Sequence, residues 1–166
     1  MEEFDLALLL VRVVVGVTLA LHGIQKIRGG LDGVARWFDG MGMRPGRLHA
    51  RFAAFGEIAA GFCLAAGLLT TFAGLGFVGL MSVAGMTDHR DKGFFIIKQG
   101  WEYVMVLGVV AVTVAMLGPG EWSVDHALGI DDDLDGYVGL LISAGGGLAA
   151  AAGLLAVFYR PPAKAD

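Results

Sequence analysis

The chain has 166 residues and a formal net charge of −4, with 56% hydrophobic residues, only 17% charged residues and a mean hydropathy of +0.69. A soluble domain is about 25% charged, and an intrinsically disordered chain carries far less apolar surface. Cys63 is the only cysteine, which excludes a disulfide framework and two-thiol exchange within the chain. The acidic balance and the lack of a basic tail leave nucleic acid outside the expected partners. One small polytopic membrane protein remains.

A membrane span needs about 20 mostly apolar residues. The first is expected over Leu6–Ile24. Glu2, Glu3 and Asp5 before it, and Arg12 within it, argue against a cleaved signal peptide. Next, Val34, Trp37, Phe38 and Met41 fall at i, i+3, i+4, i+7 and predict a short helix over Asp32–Met41, with Asp32 as cap and Gly40 or Gly42 as stop. This helix lies in the membrane interface or folds onto the bundle. Phe52–Leu69 and Phe72–Thr87 read as a helical hairpin, with a turn marked by Gly67, Thr70, Thr71 and Gly74. Trp101–Gly118 is the fourth span, and Tyr137–Tyr159, free of charge, is the fifth.

Basic residues sort by side under this arrangement. Lys26, Arg28, Arg36, Arg44, Arg47, Arg51, Arg90, Lys92, Lys98, Arg160 and Lys164 share one end, and the other end has no Lys or Arg. Positive charge stays cytoplasmic, so the N-terminus is expected outside and the C-terminus in the cytoplasm. The outer loop is acidic. Asp131, Asp133, Asp135 and Gly136 fit the first half of a calcium loop, but Ile142 stands where a bidentate Glu is needed. Capping of the fifth helix is the simpler use of these aspartates. No other metal cluster is expected; His49 and His126 fall in loops at opposite ends, and His22 with His89 would expose a haem at the span ends. In the fifth span Gly145, Ala149 and Gly153 recur every four residues, a spacing that lets helices approach closely, within the chain or in a partner subunit.

Ionisable residues inside spans are costly and turn inward. Arg12 is about 9 Å below the outer end of the first apolar run, at 1.5 Å per residue. Glu57 is about 8 Å above the inner end of the second. An Arg12–Glu57 ion pair is expected. The alternative is that Arg12 reaches outward while Glu57 meets Arg51, His22 or Lys26. His22, Gln25 and Lys26 end the first span, His89 follows the third, and Lys98, Trp101, Glu102 and Tyr103 open the fourth. All belong to the basic end. Such a set opening on an apolar bundle suits a quinone or similar amphiphile, with His, Lys or Tyr donors for ring oxygens and a carboxylate to carry the proton. The alternative is an interior network that fixes helix register. On either reading, His22, Lys26, Glu57, Glu102 and Tyr103 are expected to converge on one cavity between spans one, two and four.

Arg12, His22-Gly23-Ile24-Gln25-Lys26, Trp37-Phe38 followed by Gly42, Glu57, Gly93-Phe94-Phe95, Glu102-Tyr103 and Gly118-Pro119-Gly120-Glu121-Trp122-Ser123-Val124-Asp125 come in that order. This ordered set resembles the DoxX family of small membrane proteins over roughly residues 6–129. The resemblance implies an all-α membrane four-helix bundle over 1–129. Residues 130–166 then add an acidic loop, a fifth transmembrane helix and a short cytoplasmic tail. The family is similar to the membrane subunit of archaeal thiosulfate:quinone oxidoreductase, and is linked to quinol oxidase complexes and oxidative-stress assemblies. Arg12, His22, Lys26, Glu57 and Glu102 match its polar positions. The expected role is an integral subunit of a redox assembly in a prokaryotic cell membrane. It would be quinone-proximal, with no covalently bound cofactor, and surrounded by lipid and other protein subunits. A purely structural subunit and a small-solute channel or carrier gated by Arg12 and Glu57 are the alternatives.

Overall fold

The computed structural model of the chain describes residues 2–131 and 134–161. Its helices are α1 (Glu2–Arg28), α2 (Leu31–Gly40), α3 (Gly46–Ala66), α4 (Thr70–Ala84), α5 (Glu102–Leu117), α6 (Val124–Leu128), α7 (Gly136–Leu140) and α8 (Gly147–Phe158). A π-turn at Gly85–His89 and a 3₁₀ turn at Arg90–Lys92 extend α4. A π-turn at Leu141–Gly146 joins α7 and α8 into one last helix, Gly136–Phe158. The architecture is all-α and polytopic. Four stretches are long and apolar enough to cross a membrane: Glu2–Arg28, Gly46–Ala66, Thr70–Lys92 and Gly136–Phe158. The remaining expected span, α5, is a 16-residue apolar helix, about 24 Å long at 1.5 Å per residue.

Each expected span lies inside an observed helix or within a few residues of it. Helix α1 runs from Glu2 to Arg28 and so is about two turns longer than its apolar run needs, and α3 begins at Gly46 rather than Phe52. The hairpin turn is at Gly67–Leu69, with Gly67 (φ 64°) and Leu69 (φ 48°) both left-handed. Thr70 and Thr71 therefore begin α4 rather than form the turn.

Helices α1, α3, α4 and α5 form one core around Phe77, which is 0% exposed and packed with Leu19, Leu64, Met81, Leu107 and Val114. The tightest contact is α1 against α3. A Cβ on Gly16 would overlap the Gly61 carbonyl, one on Gly61 would overlap Gly16, and one on Gly23 would strike the Ala54 carbonyl. Small residues let antiparallel backbones meet where lipid supplies no hydrophobic drive for association. This contact sets the register: Gly16 is level with Gly61 and Ala65, Gly23 with Ala54 and Ile58. The last helix lies outside the four-helix core, on α4, where Gly147 meets Val78 and Gly146 meets Leu75. Its Ser143 is fully buried and donates to the Gly139 carbonyl at 2.6 Å within the π-turn.

A second cluster closes the basic end. Phe38 of α2, Met43 and Ala50 are buried, with Leu154, Leu155 and Tyr159 of the chain's end against them. Met43 and Tyr159 form an antiparallel bridge, with Arg44 N–H donating to Phe158 O (3.2 Å) and Arg160 N–H to Gly42 O (2.8 Å). The α2 helix thus folds onto α3 and the last helix, while Trp37 on its flank stays 48% exposed. Its start falls at Gly30 (φ 93°), and Asp32 makes no cap bond.

Gly16→Leu should destabilise the protein by about 1–3 kcal/mol, the usual cost of overpacking. Gly153→Leu, where a Cβ meets nothing within 4 Å, should change stability by less than about 0.5 kcal/mol. Thermal unfolding of both variants in the same detergent checks the pair.

Candidate functional site

Two polar centres are built into the bundle, one at each end. The first surrounds Arg12, which is 0% exposed. Its Nη2 donates to the Trp122 carbonyl at 2.6 Å, and its Nη1 lies against Gly67, where any side chain would collide with it. Arg12 Nε and Nη1 have no hydrogen-bond partner among the described residues. Asp125, in whose field Arg12 lies, is 4% exposed. The Asp125 carboxylate accepts from Leu69 N–H (2.7 Å), Thr70 N–H (2.9 Å) and Thr70 Oγ1 (2.8 Å), while its own N–H donates to Gly67 O (2.8 Å). It therefore caps the start of α4 from a distant loop, satisfying donors that helix geometry leaves open. Asp5, also buried, accepts from Glu121 N–H at 2.9 Å, and Thr71 Oγ1 donates to Leu134 O at 2.8 Å. Ser123 caps α6 through His126 N–H (3.1 Å). Together these bonds seat the loop after α5 on the extended start of α1.

The second centre is Lys26 and Glu57. Lys26 Nζ donates to both Glu57 oxygens, at 2.7 and 2.6 Å, with side chains 19% and 10% exposed. The expected Arg12–Glu57 pair does not form. The α1–α3 register puts Arg12 level with Gly67, about 15 Å from the level of Glu57 at 1.5 Å per residue. It puts Lys26 only about 6 Å past that level, within reach of a long flexible stem. The 9 Å depth inferred for Arg12 took Leu6 as the start of the span, whereas α1 rises well above the α3–α4 turn.

The expected single cavity at the basic end is also absent; the structure separates its residues into groups. His22 lies one turn before Lys26 on the exposed side of α1, and Gln25 is exposed as well. His89 pairs through Nδ1 with Gln99 O at 2.6 Å. Lys92 Nζ bonds Asp88 (2.9 Å) and Gln99 Oε1 (3.2 Å), folding the segment after α4 on itself. Glu102 Oε2 accepts from Ile96 N–H at 2.9 Å, so it organises the turn ahead of α5. Tyr103 is 37% exposed. A large cavity, about 810 Å³, is an apolar groove between α4, α5 and the last helix; Trp101 lines it, but His22, Lys26, Glu57, Glu102 and Tyr103 do not.

At the acidic end, Asp133 of the calcium-like run lies outside the described residues. Asp131 accepts from His126 Nδ1, a bond that holds its carboxyl below the usual carboxylate range. Asp135 precedes the last helix without a side-chain cap bond. Among the described residues no three metal-ligating side chains gather. His49, read from sequence as a loop residue, is in the first turn of α3 and 4% exposed. It stacks edge-on against Phe158 at 5.0 Å and lies 6.2 Å from Phe38. The stripe Gly145, Ala149 and Gly153 faces outward, and a Cβ added at Gly145 or Gly153 would meet nothing within 4 Å.

The DoxX family model matches residues 7–90, from the second turn of α1 through the π-turn after α4, and includes Arg12, His22, Lys26, Glu57 and His89. No curated protein and no solved structure matches the chain.

Asp125→Ala removes a carboxylate that holds three donors, so its cost should exceed the roughly 1 kcal/mol of an ordinary cap, reaching about 2–3 kcal/mol. Lys26→Met strands a buried carboxylate and should destabilise more than Lys26→Met with Glu57→Met; breaking a buried pair from one side costs about 3–5 kcal/mol. Arg12→Leu and Glu57→Leu should be additive within about 0.5 kcal/mol, as expected of sites more than about 10 Å apart. Unfolding midpoints of the single and double variants check all three.

Proposed function

The chain belongs to the DoxX family, and on that premise we propose that it is a small integral subunit of a membrane redox assembly, with its quinone-proximal face at the basic end. The observation that carries this reading is the Lys26–Glu57 pair. A carboxylate and an ammonium held at hydrocarbon depth, with His22 on the neighbouring surface of α1, form a short proton path from the basic end toward lipid. Reduction of a quinone to a quinol takes two electrons and two protons. Electrons come from a partner subunit that carries the redox centre. The protons pass through His22 and Glu57, with Lys26 stabilising the carboxylate between transfers.

The same reading makes the basic end cytoplasmic, because Lys and Arg are retained on that side during insertion, in the cell membrane of a prokaryote. An anchoring subunit without proton handling is the second reading. The outward stripe Gly145–Ala149–Gly153 favours it, since small residues admit a helix of another subunit closely. A carrier gated by Arg12 and Glu57 has less support, because the two residues serve separate ends of the bundle.

Gentle detergent extraction from the native membrane tests the proposal. The expected result is a stable complex with an oxidoreductase and retained quinone, with quinone lost in His22→Leu and Glu57→Gln at unchanged complex yield. A stable complex whose quinone content ignores both variants would favour the anchoring reading. A lone oligomer would end both. A reporter active only in the cytoplasm, fused to the C-terminus, should be active; silence there would reverse the orientation.

A further inference from the structure

The groove between α4, α5 and the last helix is a lined site with one charged mouth. It runs from Arg90 and Trp101 at the basic end to Met116 and Ala144 deeper in the bundle. Its length along α5, from Trp101 to Met116, is about 22 Å at 1.5 Å per residue. Its volume, about 810 Å³, falls within the roughly 300–1,000 Å³ usual for ligand sites.

Three features of the lining select the occupant. Among the described residues Arg90 is the only charged one in the lining, and its side chain is 62% exposed, so the guanidinium can meet a headgroup. The contact with Asp91, at 3.7 Å, is an exposed pair of the kind that contributes little. Trp101, stacked edge-on with Phe94 at 4.8 Å, marks the headgroup level beside it. Below that level the walls are apolar. Met81, Met86, Met105 and Met116, four of the seven methionines of the chain, line them. Unbranched, polarisable methionines adapt to a flexible chain. Ser82 and Thr113 bring the only hydroxyls to the lining among the described residues, and that of Thr113 is turned back onto the Val109 carbonyl at 2.9 Å. The groove is long and apolar enough to seat a hydrocarbon chain along α5.

We propose that this groove is a binding site for an anionic phospholipid of the leaflet at the basic end, with an acyl chain between α4, α5 and the last helix and the phosphate on Arg90. The site does not depend on the redox role, and neither Lys26 nor Glu57 lines it. The π-turn at Gly85–His89 helps build it, since it ends α4 with Gly85 and Met86 in the wall and delivers Arg90 to the mouth.

Gly108 gives a clean steric test. A Cβ there comes only to 3.9 Å of Met81 Cβ, ordinary contact, so Gly108→Leu grows into the groove without striking backbone, and it raises helix propensity. The purified protein is exposed to equal amounts of phosphatidylglycerol and phosphatidylcholine and examined by native mass spectrometry. The wild type should hold phosphatidylglycerol at least tenfold over phosphatidylcholine. Gly108→Leu should lose that adduct at least tenfold, while Gly153→Leu on the open outer face should keep it. Arg90→Gln should retain a lipid but lose the preference between headgroups. Equal retention of the two lipids by the wild type, an adduct that survives Gly108→Leu, or displacement of phosphatidylglycerol by a neutral prenyl quinone would each overturn the assignment. Thermal unfolding of Gly108→Leu, expected at or above the wild-type midpoint, separates a filled groove from a misfolded protein.

Discussion

The close approach of α1 and α3 at Gly16, Gly61 and Gly23 governs the placement of every ionisable group inside the bundle. Two antiparallel helices in backbone contact have one register, and slipping by a turn would drive Ala20 or Ile58 into a carbonyl. With the register fixed, Arg12 falls at the level of the α3–α4 turn, and Lys26 falls within reach of Glu57. Hydrocarbon offers no hydrogen-bond partner, so each charge takes the protein group that the register brings to it.

The two centres use charge differently. Lys26 and Glu57 satisfy each other with two short bonds. Arg12 satisfies only one of its nitrogens and lies beside Asp125, which is itself occupied by three donors at the head of α4. Arg12 therefore acts less as half of an ion pair than as a positive charge set beneath a loop of carbonyls and a carboxylate. The acidic end is held shut by polar bonds between elements distant in sequence, whereas the basic end is closed by the aromatic and aliphatic contacts of Phe38, His49 and Phe158.

Helix positions were legible because apolar run length and charge sidedness both report the same solvent boundary. The short α2 helix was legible for the same reason: its i, i+3, i+4, i+7 face meets α3. Depth was not. The start of an apolar run, Leu6, is not the start of the helix, and reading depth from it misplaced Arg12. Partnership was not legible either, since it depends on the glycine contact. Gly16 and Gly61 lie on different helices and make no stripe in the sequence, whereas Gly145–Ala149–Gly153 does, and spacing alone cannot tell a used stripe from an open one. The roles of Asp5 and Asp125 were hidden in an acidic loop, where a carboxylate reads as solvated. The signal available was Ser123, a residue suited to cap the short helix that carries Asp125. His49 was hidden because the helix of α3 begins six residues before its apolar run, at Gly46.

The cap on α4 has a consequence for how the chain is made. Thr70 and its carboxylate partner are 55 residues apart, with all of α4 and α5 between them. When the α3–α4 hairpin leaves the ribosome, Asp125 has not yet been synthesised. The hairpin must enter the membrane with the first donors of α4 open, and their partner arrives only after α5 has crossed and the following loop has turned back. Until then water, or the machinery of insertion, must serve those groups. The acidic end is thus sealed only after the fourth pass, and any arrest of synthesis before that point leaves a hairpin whose tip is still wet.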